Sequence, residues 1–520
     1  MTTTPNETFF INGRVKTMDK RQPSASTVRI RGGRIVEVGD GALAAANTAP
    51  STNVVDLNGR WLLPGFIDAH NHLSISALFP RWVDLSPVQT PDDLRQALVR
   101  QAESEPDAPW IRGANWWGFL PIDRDLLDSF GFDRPIMIGH TSCHDGVVDS
   151  RGLDILGISE ESEDPRGGLR TRDSRGRLTG ALYESAFGPA YAASIEGFDD
   201  PEQYDDALAT RARAFLQEGI TAIHDAACSP EAEAAYRRLA AKGALPVSVL
   251  AMPHSKFLFS DNRDRRIDGP ATGEGDEWYR VGPVKFFADG GQVPAFSADH
   301  GHTGILNESM PEALAHAITL GFRVAVHAIG DVAMNHTLSA FLEAARTRPD
   351  DDHRFRVEHG FFSSPKHISD MAELGVIASV QPGMPEMMSN FLDSHGEHVH
   401  GNTFRFRDMA EAGITISASS DDPCMPYGPL LNMQAASIRR TGAASLAGDQ
   451  TLAREDWLHA FTAGAAYAGG QENERGSITV GKRADLVVLD GELDSNEPPA
   501  VDETWVNGAK VWARESTSPR

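Results

Sequence analysis

LPGFIDAHNH, residues 63–72, is the stretch on which the reading of the fold turns. Its first eight residues are nearly all apolar, as in a strand covered on both faces. The run ends on His70 and His72, whose side chains, two apart on a strand, face the same way. Seven more runs of this kind follow: GITAIHDAA (219–227), LPVSVLAMP (245–253), VGPVKFFADG (281–290), FRVAVHAIG (322–330), RFRVEHG (354–360), GVIASVQP (375–382) and GITISASSDDP (413–423). Amphipathic stretches such as PEAEAAYRRLAAKG, MPEALAHAITLG and SPKHISDMAELG separate several of them. Strands alternating with helices imply α/β architecture with a parallel sheet. Eight strands favour a (β/α)8 TIM-type barrel over an open doubly wound sheet. No glycine-rich dinucleotide fingerprint follows the first strand, which weakens the open-sheet alternative.

Outward from this middle, both ends of the chain read as short strands bounded by turns. FFINGRVKTMD, TVRIRGGRIVEVG and NVVDLNGRWLLPG stand at one end, GSITVGKRADLVVLD (476–490) and ETWVNGAKVWA (503–513) at the other. The expected organisation is a small β-sandwich built from residues 1–62 and 474–520, with the barrel at 63–473. Roughly 140 residues separate the first two barrel strands, far more than one connecting helix needs. This interval is expected to be an inserted lid subdomain, 79–215, at the C-terminal mouth of the barrel, where active sites of such barrels sit.

Composition narrows the function. Hydrophobic residues make up 41% and charged residues 23% of the 520, an ordinary globular balance. A formal charge of −25 with no basic cluster argues against nucleic acid and anionic membranes as partners. The three cysteines, Cys143, Cys228 and Cys424, make no disulfide framework. No apolar run approaches membrane-spanning length, and the N-terminus lacks signal-peptide character. A cytoplasmic enzyme acting on a small molecule is the expectation, and a homodimer is open.

The chemistry lies in where the histidines fall. His327 sits near the end of the fifth strand and His359 near the end of the sixth. Lys285 lies inside the fourth, where a buried lysine is costly without a partner. Asp421 ends the eighth, with Asp422 beside it. Imidazoles and a carboxylate converging on one barrel mouth form a divalent metal site, most naturally for zinc. Two other His-x-His pairs, His300/His302 and His398/His400, fall in loops and read as solvated surface residues.

With these motifs the sequence resembles the amidohydrolase superfamily, and within it the amidohydrolase-3 group that includes N-substituted formamide deformylases. The likeness rests on PGFIDAHNH, GITAIHDA, VKFFADGG, VHAIGD, VEHG, SSDDP and GSITVGKRADLVVLD, which span nearly the whole chain. It implies a binuclear centre of two divalent ions, with His70 and His72 on the more buried ion and His327 and His359 on the more exposed one. A carboxylated Lys285 would bridge both ions, and Asp421 would ligate the buried one and carry the proton. It also implies attack by a metal-bridging hydroxide, available because coordination lowers the pKa of water toward about 7. The group carries a histidine in a D-G-H-type motif near the substrate; here TSCHDGVVDS departs from that pattern and points to His144. His224 and Asp225 are expected behind the ligands, and Asp331 either orients a ligand or caps a helix.

The expected reaction is cleavage of a C–N bond in an amide, formamide or carbamate-like substrate. Cyclic amidine deamination, ester or lactone hydrolysis, and a non-catalytic scaffold are the alternatives. Trp82, Trp116 and Trp117 of the insertion, Met387 in QPGMPEMMSNF and Tyr427 in CMPYGP are expected to form an adaptable apolar wall for a small neutral substrate. Arg439 and Arg440 would be the cationic groups to seek if the substrate were anionic.

Overall fold

The computed structural model describes residues 7–40, 52–195, 200–254, 266–267, 269–297, 304–349, 352–387, 401–437, 450–493, 495 and 497–515. All eight apolar runs of the middle form strands, arranged as two parallel sheets in an α/β architecture. One sheet runs Tyr279–Val281, Ser248–Pro253, Ile220–Cys228, Phe66–Asn71; the other runs Val284–Phe287, Val324–Ala328, Arg356–His359, Ile377–Val380, Ile416–Ala418. Only Gly282 and Pro283 separate the edge strands, so the chain steps there from one sheet to the other. At the opposite edges, the Asp421 N–H donates to the His70 carbonyl and the His72 N–H to the Asp422 carbonyl, each at 2.8 Å.

Every residue of Phe66–Asn71 and of Ile220–Cys228 is buried, which is why these strands read as unbroken apolar runs rather than alternating ones. Helices cover the outside and begin where side-chain oxygens satisfy their first N–H groups. Ser229 accepts from Ala232 N ahead of Pro230–Ala241, and Ser364 forms a capping box with His367 ahead of Pro365–Glu373.

The two ends of the chain meet in one sheet. Leu486–Asp490 pairs antiparallel with Trp61–Pro64, setting Val488 opposite Leu62, and Ala500–Val506 pairs on its other side. A second sheet contains Glu7–Ile11, Thr27–Arg31, Arg34–Gly39 and Asn53–Asp56. The two sheets share one apolar cluster that includes Phe10, Val28, Leu62, Leu486, Val488 and Trp505. Leu63 and Pro64, which the sequence boundary assigned to the barrel, complete a strand of this unit.

The long interval after the first parallel strand holds a six-stranded sheet of its own, from Val83–Asp84 to Leu178–Glu184. Leu94, Ala97 and Leu98 of the helix Pro91–Ser104 form one apolar cluster with Ile111, Ile138 and Val147 of this sheet. Another cluster, with Trp82, Met137, Leu182, Phe187 and Tyr191, reaches Ile75, Ala227 and Phe287 at the C-terminal ends of the parallel strands. The boundary expected at residue 215 needs correction. Pro201–Phe215 buries Leu208, Ala212 and Phe215 in the central core, and its Asp205 pairs with Arg238 of the next helix at 2.7 Å. That helix therefore packs chiefly with the parallel sheets, while its Tyr204 also touches the cluster shared with the insertion. Among the described residues, no helix is long and apolar enough to cross a membrane.

Candidate metal centre

The parallel strands deliver their ends to one cavity of about 250 Å³, lined among others by His70, His72, His144, Lys285, His327, His359 and Asp421. His70, His72 and Asp421 come closest, with one prospective ligand atom from each all lying within 4.8 Å of one another. The sequence expected Asp421 at a strand end, but the eighth strand stops at Ala418. Asp68 holds the loop beyond it: its carboxylate accepts from the Ser420 backbone at 2.9 Å and from the Ser420 hydroxyl at 2.5 Å. Asp421 then takes a left-handed φ of 64°, directing Oδ1 to 3.0 Å from His72 Nε2 and 3.4 Å from His70 Nε2. Asp422 turns away to an ion pair with Arg211.

The hydrogen-bond pattern fixes how the imidazoles present themselves. His70 Nδ1 stands 2.5 Å from Glu358 Oε2, His72 Nδ1 2.8 Å from the Ala226 carbonyl, and His359 Nδ1 2.9 Å from Gln381 Oε1. Gln381 Nε2 donates to Ser419 Oγ at 3.0 Å, so its oxygen is the atom that faces His359. A carbonyl, an amide oxygen and a carboxylate paired with Arg356 are all acceptors, so each Nδ1 carries the hydrogen and each Nε2 keeps a lone pair. Two of these lone pairs, on His70 and His72, face the oxygen of Asp421. Such a meeting of acceptors calls for a cation between them.

The charges follow the same logic. Burial pushes Asp421 up, but the surrounding imidazoles of His72, His70 and His359 outweigh it and hold the carboxyl below its ordinary range. Burial pushes His72 down, and Asp421 more than offsets this, so its pKa rises. Burial and the Lys285 charge hold His70 well below its ordinary value.

Lys285 is fully buried, with Nζ 3.5 Å from His70 Nε2 and 5.0 Å from the Phe287 ring centre. His327 is buried and, among the described residues, has no hydrogen-bond partner at either ring nitrogen; its Nε2 stands 3.7 Å from Asp289 Oδ1. Its ring centre lies 4.6 Å from that of His359 and 5.0 Å from that of His144. A buried imidazole with two orphaned nitrogens beside three oriented ones fits a metal ligand set of nitrogen and oxygen donors.

The remaining expected residues divide. His144 lines the cavity from the insertion, as does Trp117. Trp82 is 7% exposed and packed between Phe79 and Tyr191, inside the cluster that joins the insertion to the parallel strands. Trp116 donates its indole N–H to the Leu120 carbonyl at 2.9 Å and packs in the cluster of the helix Pro91–Ser104. Tyr427 lies against Phe215 and under the Arg211 guanidinium, lining a separate groove. The cavity wall is instead completed by Ile75, Phe119, Phe287, Ile329, Phe361 and Met384. Met387 ends the short helix Met384–Met387, but its side chain lies outside the described residues, as do His300, His302, His398, His400, Arg439 and Arg440.

His224 accepts from Arg356 Nη1 at 3.1 Å, and Asp225 accepts from the Tyr236 hydroxyl at 2.8 Å and the Ser74 hydroxyl at 3.2 Å. Asp331 opens the helix Asp331–Thr347 and accepts from Ser297 N. Cys143 and Cys424 both line the cavity. Three residues that sequence reasoning passed over hold the ligands or the wall: Glu358, Gln381 and Glu184. Glu358 had a signal, since a carboxylate next to a candidate ligand in a buried strand needs a partner. The other two had none.

The family model for the amidohydrolase family matches residues 53–512. The N-substituted formamide deformylase of Arthrobacter pascens is 32% identical over 507 residues, covering 93% of each chain. Protein LONG AFTER FAR-RED 3 of Arabidopsis thaliana is 27% identical, covering 96% of this chain and 91% of that one. The crystal structure of an uncharacterized metal-dependent hydrolase from Pyrococcus horikoshii OT3 superposes with a TM-score of 0.74 at 24% identity, covering 94% of this chain and 98% of that one.

Proposed function

This chain belongs to the amidohydrolase family; from that premise we propose that it is a metal-dependent hydrolase that cleaves the C–N bond of a small neutral amide, formamide or carbamate-like substrate bearing an apolar substituent. The observation that carries this reading is the division of the cavity. Oriented imidazoles and a carboxylate form one side, and Ile75, Trp117, Phe119, Phe287, Ile329, Phe361 and Met384 form much of the rest. Among the described lining residues, Lys285 is the only lysine or arginine, so no guanidinium fork awaits a phosphate or carboxylate. The name of the Arthrobacter relative, a deformylase of N-substituted formamides, points the same way.

The donor set fits two divalent ions, zinc by ligand type. In this reading His70, His72 and Asp421 would hold one ion and His327 and His359 the other. Lys285, if carboxylated on Nζ, would add donor oxygens to this set. When bound, the ions polarise the substrate carbonyl and make hydroxide available at neutral pH. Asp421 accepts the proton of the attacking nucleophile and returns it to the departing amine. His144 lines the same cavity with its ring centre 5.0 Å from that of His327, where it can bind the substrate carbonyl oxygen. The reading also takes the two parallel sheets as halves of one (β/α)8 barrel, supported by the hydrogen bonds between residues 70–72 and 421–422.

The test is metal analysis of the purified protein followed by turnover on N-alkyl and N-benzyl formamides, amides, carbamates and esters. About two ions per chain, loss of turnover on chelation and a preference for apolar N-substituents are expected. A preference for free amino acids, dipeptides or phosphorylated compounds would overturn the substrate class.

A further inference from the structure

Against His144 lies a buried carboxyl group, Glu184, to which the reaction above gives no part. It closes the strand Leu178–Glu184 at 3% exposure. Its Oε2 stands 2.8 Å from His144 Nδ1. Its Oε1 accepts the Gly291 N–H at 2.9 Å, and the Gln292 backbone N–H also donates to this carboxyl. The Gly291 N–H is shared, reaching His144 Nδ1 as well at 3.1 Å. The two glycines of VKFFADGG permit this approach. A Cβ at Gly290 would stand 2.7 Å from Glu184 Oε1, and one at Gly291 2.6 Å from the His144 ring.

A ring nitrogen that accepts an N–H carries no hydrogen of its own, so the short contact between Nδ1 and Oε2 needs its proton from the carboxyl group. Burial favours that form, pushing Glu184 well above the ordinary carboxylate range. With Nδ1 accepting the Gly291 N–H, the one hydrogen of the neutral imidazole sits on Nε2.

We propose that Glu184, as a carboxylic acid, donates to His144 Nδ1 and holds the ring in its Nε2–H tautomer, making His144 a hydrogen-bond donor to the substrate carbonyl oxygen rather than a base. Glu184 is thus a positioning residue. The proposal rests on the reading that His144 reaches the substrate. A donor aimed at the oxygen on which negative charge grows contributes most in the transition state, so its loss falls mainly on kcat.

The Glu184→Gln substitution separates the two protonation states. With its carbonyl kept on the Gly291 and Gln292 N–H groups, the glutamine amide donates to Nδ1 as the carboxylic acid does. Glu184→Gln should therefore keep kcat within about threefold, whereas Glu184→Leu should lower it by about 100-fold with metal content unchanged. A loss in Glu184→Gln as large as in Glu184→Leu would mean that a carboxylate is required, and would overturn the proposal, as would wild-type kcat in Glu184→Leu. Should Glu184→Leu not fold, Glu184→Gln against wild type decides alone. In ¹⁵N spectra of histidine-labelled enzyme, with His144→Phe assigning the ring, Nδ1 should be unprotonated; a protonated Nδ1 overturns the tautomer. Wild-type turnover in His144→Phe would instead remove His144 from the reaction, a failure of the underlying reading that leaves a distinct signature.

Discussion

The two sides of the cavity are built by different means. On the strand-end side, three of the four imidazoles are held by a second residue behind them: His70 by Glu358, His72 by the Ala226 carbonyl, His359 by Gln381. On the insertion side, Trp117, Phe119 and Thr141 to His144 come from irregular chain between strands, and Phe119 is 75% exposed. A metal tolerates little error in ligand position, so its side rests on buried strands and fixed partners. An apolar substituent needs only shape and low polarity, which loops can supply and vary.

The largest effect expected from this contrast is at Asp421. Asp421→Asn keeps an oxygen near His72 but cannot accept a proton, so turnover should fall by about 10²–10⁴-fold while metal content falls less. Asp422→Asn should leave turnover largely intact and weaken the Arg211 pair, seen as a lower melting temperature. The reverse pattern would exchange the two aspartates.

Next comes the residue behind His70. Glu358→Gln should weaken metal binding by about 10–100-fold, measured by competition with a chelator. It also leaves Arg356, fully buried, without its charged partner, which should cost about 3–5 kcal/mol in urea unfolding of the metal-free protein. Unchanged stability would mean that His224, Ser379 and the Ala69 carbonyl satisfy that guanidinium alone.

The insertion side offers a subtler pair. Trp117→Ala should raise KM for bulky apolar substrates by about 10-fold or more, with little change for small ones. Trp116→Ala, one residue away, should spare KM and cost about 2–3 kcal/mol of stability, because its indole packs under the insertion sheet. Equal KM effects would erase the distinction between wall and packing.

The smallest effect belongs to Tyr427. Its ring, not its hydroxyl, meets Phe215 and Arg211, so Tyr427→Phe should change stability by no more than about 0.5 kcal/mol and leave KM unaltered. A substantial rise in KM would return Tyr427 to the substrate wall.

Taken by itself, the sequence determined the eight apolar runs, the pairing of the two ends and the candidates His70, His72, Lys285, His327, His359 and Asp421. These are local signals: a strand buried on both faces has to be apolar along its length, and a residue at its end points where the strand points. What only the tertiary structure decided depends on segments far apart in the chain. His70 meets Glu358 across 288 positions, and His144 meets Glu184 and Gly291 across 40 and 147. The choice between Asp421 and Asp422 followed from a left-handed backbone after the strand had ended, held there by Asp68 across 352 positions. Trp116 and Trp117 look alike in sequence and part company because only Trp116 lies within the strand Ile111–Trp116, while Trp117 lies in the turn beyond it. Composition can announce that a wall will be aromatic, but which ring faces the cavity is set by backbone direction and by packing against elements that the local sequence does not contain.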